Sequence, residues 1–353
     1  MSYSDGWSAL NLEMPARVPR TEYSIAEYHF PLIRRVTGLD VSDTSSPAEK
    51  ARARRALREA WSFDFSWSTY LVTQLLEKKR TRMGHAVYGA TGADKDTHIE
   101  CPFSSPEEAL AFDPLETYGP IDEAAMKAAF EAHYRKNVEA LPNEVNMTGV
   151  YVTLISGLIE IFGWEIMLEA LGDDPAGFGA VANRYADWMM PAFRALAAAD
   201  VPCVMIHDDI VWTSGAFVNP AWYRKYVFPN YARYFAPILE SGKKLVYTSD
   251  GCYTRFIDDI AAAGAQAFVL EPSTDMAYIA QRYGRTHAFI GNADTRALLS
   301  GTPDAIRAEV KRCMDIGKAC PGFLMAVGNH IPANTPIENC LIYEEAYREM
   351  SRR

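Results

Sequence analysis

Beyond residue 145, apolar runs of strand length alternate along the chain with amphipathic stretches of helical length. The strand-length runs cover residues 146–153, 202–207, 244–248, 267–270, 288–291 and 322–327, and an earlier one lies at 62–67. The helical patterns cover residues 154–171, 176–199, 220–239, 253–263, 276–283, 303–316 and 336–350. Strands that are apolar throughout, rather than alternating, belong to sheets covered on both faces. The pattern therefore predicts a parallel sheet wrapped by helices.

Repeated βα units of this kind form either a doubly wound sheet or a closed barrel. Seven strand candidates come close to the eight strands of a (β/α)₈ barrel, and 353 residues is an ordinary length for one. No GxGxxG sequence follows the first strand, which weakens the dinucleotide-binding alternative. We therefore expect an α/β fold, a (β/α)₈ TIM barrel with an N-terminal extension made of helices and a β-hairpin.

A single domain accounts for residues 1–353, because no linker or low-complexity segment interrupts the chain. Residues 1–61 form the predicted N-terminal extension, in which Ser46 and Pro47 begin a capped helix that runs to Trp61. Residues 62–353 form the predicted barrel. A strand-like alternation with glycines at the turn points predicts a hairpin insertion near residues 80–103.

Composition indicates the partners and the cellular compartment to expect, but it does not indicate the reaction. The formal net charge of −10 disfavours a nucleic acid as the main partner. The apolar stretches are too short or too interrupted to span a membrane, and residues 1–20 lack the apolar core of a secretory signal. Six scattered cysteines without a CxxC pair fit a reducing compartment, so we expect a cytoplasmic protein.

Polar residues follow five consecutive strand candidates at the point where each strand ends. They are His207, Asp208 and Asp209; Ser249 and Asp250; Glu271; Asn292 and Asp294; and Asn329 and His330. In a barrel the C-terminal strand ends meet on one rim, and barrel enzymes carry their chemistry there. Each residue alone has a structural alternative, since Asp and Asn cap helices and shape turns, and His207 suits a satisfied core position. Their recurrence at five strand ends favours an active site.

The carboxylates of such a rim repel one another unless a cation, a metal or raised pKa values relieve them. The predicted catalytic residues are His207, Asp250, Glu271 and His330, and the same four are candidate ligands of a divalent metal such as zinc. Their spacing matches no recognised zinc pattern, so a metal-free site stays open. The predicted substrate-binding residues are Asp208, Asp209, Asn292, Asp294, Asn329 and Trp212. Trp212 either walls an apolar or cationic substrate or packs as an ordinary aromatic residue.

Several motifs at these positions occur together in one protein superfamily. They are His207-Asp208-Asp209, Asn219-Pro220-Ala221-Trp222-Tyr223, Ser249-Asp250-Gly251, Gly291-Asn292-Ala293-Asp294, Gly328-Asn329-His330-Ile331-Pro332 and Thr335-Pro336-Ile337-Glu338-Asn339. On these segments the chain resembles the uroporphyrinogen decarboxylase superfamily, which includes the corrinoid-dependent methyltransferases. The resemblance implies the same (β/α)₈ barrel, and it is more specific to the superfamily than to one reaction.

Two activities of that superfamily compete. In the decarboxylase an arginine-bearing N-terminal segment contacts the carboxylates of the substrate, whereas here Thr21-Glu22-Tyr23-Ser24 follows Arg20 and does not resemble that segment. An acidic rim is also poorly suited to a polyanionic porphyrinogen. The methyltransferase branch moves a methyl group between a small molecule and a corrinoid held by a partner protein. We expect that activity, with a corrinoid-binding protein as the partner.

The resemblance also bears on the substrate. Coenzyme M methyltransferases of this branch hold a thiol-activating zinc with a His-x-Cys motif and a further cysteine, and Thr248, Asp250 and Asn329 stand at those positions here. A thiol acceptor is therefore disfavoured relative to a methoxy compound, a methylamine or a pterin. Asp250, Glu271 and His330 would then protonate the departing oxygen or nitrogen or coordinate a harder metal. A decarboxylase-like lyase and a non-catalytic small-molecule-binding barrel remain as alternatives, and a homodimer is left open.

Overall fold

A computed structural model describes residues 3–81 and 100–353 of the chain. The strands are β1 (Thr148–Val150), β2 (Cys203–His207), β3 (Lys244–Thr248), β4 (Ala267–Val269), β5 (Ala288–Ile290) and β6 (Phe323–Leu324). The helices are α1 (Tyr3–Leu10), α2 (Phe30–Thr37), α3 (Pro47–Ala60), α4 (Pro106–Leu110), α5 (Pro114–Tyr118), α6 (Glu123–Ala140), α7 (Ile155–Asp173), α8 (Pro175–Ala198), α9 (Pro220–Tyr226), α10 (Phe228–Glu240), α11 (Ile257–Ala263), α12 (Met276–Tyr283), α13 (Thr295–Ser300), α14 (Pro303–Gly317) and α15 (Ile337–Met350). A 3₁₀ turn at Thr254–Phe256 precedes α11.

The six strands form one parallel sheet in the order β1 to β6. In the pairing of β2 with β3, His207 lies opposite Thr248, so both strands end at the same level. Beyond β6 the sheet continues through the N-terminal part of the chain. The Met325 N–H donates to the Pro19 carbonyl (2.8 Å), and the Thr21 N–H donates to the Met325 carbonyl (3.0 Å).

A second short segment closes the sheet into a ring. The Asp64 N–H donates to the Arg20 carbonyl (2.9 Å), and the Ser66 N–H donates to the carbonyl of Val145 (2.8 Å), which leads into β1. Together with the six strands, the segments around residues 20 and 65 give eight positions around the ring. The predicted (β/α)₈ TIM barrel is confirmed.

Side chains along the strands alternate between two apolar clusters. In β2, Met205 points into the smaller cluster inside the ring, whereas Val204 and Ile206 belong to the larger one under the helices. This alternation is the two-residue period of an extended chain. Gly149 allows β1 to pack closely on β2, because a Cβ at this position would lie 1.9 Å from the Met205 carbonyl oxygen. The interior of the barrel is therefore a packed core, and the free space lies at its rim.

The structure differs from the sequence-based boundaries at three places. The predicted helix 220–239 is two helices, because Pro229 has no N–H to bond back across the break at Val227. Residues 19–21 lie in the ring, although the sequence placed them in an N-terminal extension. Most of the predicted hairpin near residues 80–103 lies outside the described residues. Within the described residues, no helix is long and apolar enough to cross a bilayer.

A buried arginine ties the two ends of the chain together inside the fold. Arg20 is fully buried, and its guanidinium donates to Glu22 (2.8 Å) and to Glu344 on α15. The rings of Trp61 and Tyr347 lie 4.9 and 4.5 Å from its guanidinium carbon, in cation–π contact. A buried guanidinium is costly unless paired, and here two carboxylates pair with it.

Candidate active site

A cavity of about 490 Å³ opens at the C-terminal rim of the barrel. Its polar lining includes four carboxylic acids and two imidazoles, and its walls include four aromatic rings. These residues are Glu160, Asp209, Asp250 and Glu271; His207 and His330; and Tyr23, Trp67, Tyr151 and Trp164. None of its lining residues within the described chain is Lys or Arg. The cavity is therefore acidic and aromatic, and its volume suits a small ligand.

His207 ends β2 and forms part of the cavity floor. Its side chain is 2% exposed, and its ring stacks on that of Tyr151 with the ring centroids 3.9 Å apart. Burial lowers the pKa of His207 below the usual value, against the opposing effect of the Asp250 and Asp208 carboxylates. At neutral pH the imidazole is therefore uncharged, and this is the form that binds metals or accepts a proton.

Asp209 and Asp250 approach each other from the ends of neighbouring strands. The Asp250 N–H donates to Asp209 Oδ1 (2.8 Å), and the Asp209 N–H donates to the hydroxyl of Ser156 (2.7 Å). Enclosure by the protein raises the pKa of Asp209 to about 7. Enclosure, and next the charge of Asp209, raise the pKa of Asp250 to about 7. Two carboxyl groups in this state hold a proton readily or attract a cation.

Glu271, which follows β4, organises the next part of the rim. One of its oxygens accepts from the Gly251 N–H (2.8 Å), and the other accepts from the side-chain amide of Asn329. Gly251 has φ +81°, and a Cβ there would lie 2.7 Å from the backbone carbonyl of Trp212. Glycine is thus required in the turn that presents Asp250 to the cavity.

His330 lies on the far side of the cavity, beyond β6. Its Nδ1 is in hydrogen-bond contact with the Ser24 hydroxyl, and its ring meets the Tyr23 ring edge-on with centroids 4.7 Å apart. The His330 N–H donates to the side-chain oxygen of Asn329 (2.7 Å). Both predicted residues after β6 therefore line the cavity, with His330 held by Ser24 of the N-terminal segment and Asn329 by Glu271.

Three donor residues lie close enough to share a metal ion. One side-chain donor atom each from His207, Asp209 and Asp250 falls within 4.8 Å of the other two. Of the four ligands predicted from the sequence, His207 and Asp250 belong to this group. Glu271 and His330 are outside this group, because the turn at Gly251 holds the first and Ser24 holds the second.

Asp208, predicted to bind substrate, is buried beneath the cavity and does not line it. Its carboxylate accepts from the backbone N–H groups of Ile155 (3.1 Å) and Ser156 (2.6 Å) at the start of α7, and from the Tyr231 hydroxyl (2.5 Å). These contacts favour the ionised carboxylate but do not fully offset burial, which raises its pKa. Asp208 acts as an anchor for the N-terminus of a helix.

Three more predicted substrate-binding residues lie outside the cavity. Asp294 caps α13, accepting from the Arg296 N–H (2.9 Å) and pairing with its guanidinium (2.6 Å). Asn292 is buried and donates to the carbonyls of Glu271 and Thr274, both at 3.1 Å. The 45% exposed Trp212 packs behind Trp164, a wall residue, with ring centroids 5.7 Å apart.

The sequence analysis missed three residues that line the cavity, Tyr151, Tyr23 and Glu160. Tyr151 directly follows β1, but the predicted strand 146–153 ran past it. Tyr23 follows the ring segment around residue 20, which no apolar run marks. Glu160 lies within α7, where burial raises its pKa to about 7 although Arg80 lies 3.6 Å away. A strand-end rule alone cannot find a residue that a helix contributes.

Comparison with known proteins identifies the family of the chain. The family model described as uroporphyrinogen decarboxylase (URO-D) matches residues 83–350. The chain belongs to this family. The resemblance of its rim motifs to the superfamily is thereby confirmed, while the methyltransferase branch is not distinguished from the decarboxylases by this match.

Curated relatives of this URO-D family member carry the decarboxylase name. Uroporphyrinogen decarboxylase of Syntrophotalea carbinolica is 26% identical over 178 residues, which is 50% of this chain and 50% of the relative. The enzyme of Xanthomonas axonopodis pv. citri is 30% identical over 183 residues, 48% of this chain and 49% of the relative. The chain thus spans about half the length of the curated relatives it matches.

A solved structure extends the likeness over the whole fold. A methyltransferase from Methanosarcina mazei superposes with a TM-score of 0.64 at 16% identity, and the match covers 98% of each chain. At this identity the likeness establishes the shared fold and leaves the reaction to be argued from the site.

Proposed function

We propose that this URO-D family protein is a methyltransferase that moves a methyl group between a small methoxy- or methylamine-type compound, or a pterin, and a corrinoid carried by a partner protein. The observation that carries the proposal is the charge of the cavity. Its lining holds four carboxylic acids and, among the described residues, neither Lys nor Arg. Such a lining selects neutral or cationic ligands.

The walls of the cavity support the same class of substrate. Tyr23, Trp67, Tyr151 and Trp164 surround it with aromatic rings. Aromatic faces attract methylammonium groups by cation–π interaction and bury methoxy groups as apolar surface. A tetrapyrrole with many carboxylates would instead meet a lining that has four carboxylic acids and, among the described residues, no Lys or Arg.

The reaction needs a group that gives a proton or a cation to the oxygen or nitrogen atom that the methyl group leaves. A corrinoid in its Co(I) state, when bound, supplies the nucleophile that takes the methyl group. The bond from the methyl carbon then breaks with its electron pair on oxygen or nitrogen, and this atom must gain a proton or a cation. Asp250 beside Asp209, with His330 across the cavity, offers groups suited to this task. We assign to Glu271 the positioning of Asp250, through its bond with the Gly251 N–H.

The proposal is tested by anaerobic methyl transfer to free cob(I)alamin from a panel of methoxyaromatic compounds, methylamines and methyltetrahydropterin. We expect Asp250→Asn to lower the rate about 100-fold or more and His330→Ala to lower it at least about tenfold. The control is Asp187→Asn, which removes an exposed partner of Arg233 outside the cavity lining and should leave the rate unchanged. Wild-type rates in both rim variants would contradict the assignment of these residues.

Decarboxylation of a porphyrinogen is the second candidate, because the curated relatives are named uroporphyrinogen decarboxylases. The acidic lining opposes it, since that substrate carries many carboxylates. Carbon dioxide release from uroporphyrinogen by the purified chain, abolished in Asp250→Asn, would establish this candidate in place of methyl transfer.

A further inference from the structure

We propose that His207, Asp209 and Asp250 bind a divalent cation that accepts nitrogen and oxygen ligands, such as Zn²⁺, Co²⁺ or Mn²⁺. Their donor atoms lie within 4.8 Å of one another at the floor of the acidic cavity. An ion among three atoms at most 4.8 Å apart lies no more than about 2.8 Å from each, so side-chain shifts of less than about 1 Å bring all three to bonding distance. The site uses two adjacent strand ends of the barrel.

The backbone of the barrel builds this arrangement. His207 and Thr248 are register partners at the ends of β2 and β3, so the residues two positions beyond them, Asp209 and Asp250, also come side by side. The Asp250 N–H holds Asp209 Oδ1 (2.8 Å), and the Ser156 hydroxyl accepts from the Asp209 N–H (2.7 Å). The Asp209 carboxylate and the Asp250 backbone are thus held together before any ligand arrives, which favours tight binding.

A second observation at the same place indicates a missing ligand. The Thr248 hydroxyl lines the cavity, is on a side chain only 4% exposed, and has no hydrogen-bond partner among the described residues. Burial of a hydroxyl is unfavourable unless it finds a hydrogen-bond partner. A metal-bound water or substrate oxygen beside His207, which lies opposite Thr248 in the sheet, would supply that partner.

The donor set decides which ions fit. One buried, uncharged imidazole and two carboxylates suit a borderline or hard divalent ion. The zinc site implied by the coenzyme M methyltransferases does not fit this chain, because Thr248, Asp250 and Asn329 at those positions provide no thiolate and no imidazole. In this chain the imidazole belongs to His207 at the end of β2, the strand before the one that leads to Asp250. With three protein ligands, the ion keeps an open position for a substrate atom.

Metal binding and its use are separate steps of the inference. The binding itself depends only on the three side chains and the cavity. The role of the ion rests on the proposed function: it would take up the negative charge of the departing oxygen, or coordinate the departing nitrogen, as the bond to the methyl group breaks.

The full-length protein, stripped with a chelator, is titrated with Co²⁺ and followed by its visible absorption, and Zn²⁺ competition gives the affinity. We expect one ion per chain. Asp209→Asn and Asp250→Asn should each weaken binding at least about tenfold. Asp187→Asn is the control, because it removes an exposed carboxylate that does not line the cavity and should retain wild-type affinity. Unfolding curves of the variants verify that each is folded.

Equal affinities in wild type, Asp209→Asn and Asp250→Asn would overturn the proposed site, as would an equal loss of affinity in Asp187→Asn. The two proposals fail separately. Metal binding without methyl transfer would contradict the proposed function alone. Methyl transfer by a chain that binds no divalent ion would contradict the metal site alone.

Discussion

At the scale of single residues, neighbours in sequence have different roles at this rim. Asp208 and Asp209 both follow β2, yet Asp208 anchors the start of α7 while Asp209 lines the cavity. Consecutive residues of extended chain point to opposite sides, so the role of each depends on a register that sequence alone does not supply. Asp294 shows the same limit, because a helix-capping aspartate and a ligand-binding aspartate look alike in sequence.

Glu160 gives a residue-scale prediction about pH. Its side chain is 7% exposed, and burial raises its pKa to about 7, above the value of an unfolded chain. The raised pKa means that the folded state favours the protonated form, so stability is full below the unfolded pKa and is lost as pH rises through 7. Glu160→Gln, which mimics the protonated form, should match wild type near pH 4.5 and exceed it by roughly 2–3 kcal/mol at pH 8.

Urea unfolding at both pH values measures this difference. The matched control is Glu77→Gln, since Glu77 pairs with the same Arg80 at 3.8 Å but is 65% exposed. We expect less than about 0.5 kcal/mol for that variant at either pH. A Glu160→Gln chain less stable than wild type at pH 8 would mean that the ion pair with Arg80 outweighs burial.

At the scale of elements, the sequence predicted where most strands and helices lie, but it predicted the ends of only some of them. The predicted limits of β3 and α12 agree with the structure, because each is a periodic apolar run bounded by polar or turn residues. Tyr151 was hidden by a strand prediction that ran too far along the chain after β1. The turn after β3 is where element and site meet, since Gly251 both reverses the chain and presents Asp250.

Substitution of Gly251 tests that turn. Gly251→Ala must place a Cβ at φ +81° and only 2.7 Å from the Trp212 carbonyl, so we expect a loss of more than about 2 kcal/mol in unfolding free energy. Gly242→Ala is the control, because Gly242 has φ +77° with nothing within 4 Å and should lose only about 1–2 kcal/mol. Denaturant unfolding compares the two. Equal losses would show that the close approach to Trp212 is unimportant.

At the scale of the whole molecule, the alternation of strands and helices predicted the barrel, but not how its ring closes. The ring segment around residue 20 carries Arg20 and Glu22. Because buried strands are predicted from apolar runs, a segment with charged residues was not predicted to be one. They are buried because Glu344 on α15, far along the chain, completes the pairing. Such compensation is visible only in three dimensions. Glu22 also accepts from the Val327 N–H (2.9 Å), which connects ring closure to the rim residues Asn329 and His330.

Removal of this arginine tests the closure. Arg20→Met leaves two carboxylates without their buried partner, so we expect a loss of about 3–5 kcal/mol in unfolding free energy. Arg307→Met is the control, because its two glutamate partners, Glu345 and Glu349, are more than half exposed. That loss should stay below about 1 kcal/mol. Similar losses in both variants would contradict a special role for the buried cluster.

Our central proposal is that the acidic, aromatic cavity at the barrel rim catalyses methyl transfer. A direct comparison of methyl transfer with porphyrinogen decarboxylation tests it. A single preparation of the full-length chain is given cob(I)alamin with methoxy, methylamine and methylpterin donors, and in parallel uroporphyrinogen. We predict methylcobalamin formation with at least one donor, lost in Asp250→Asn, and no carbon dioxide from uroporphyrinogen. Carbon dioxide release from uroporphyrinogen, with no methylcobalamin from any donor, would contradict the account.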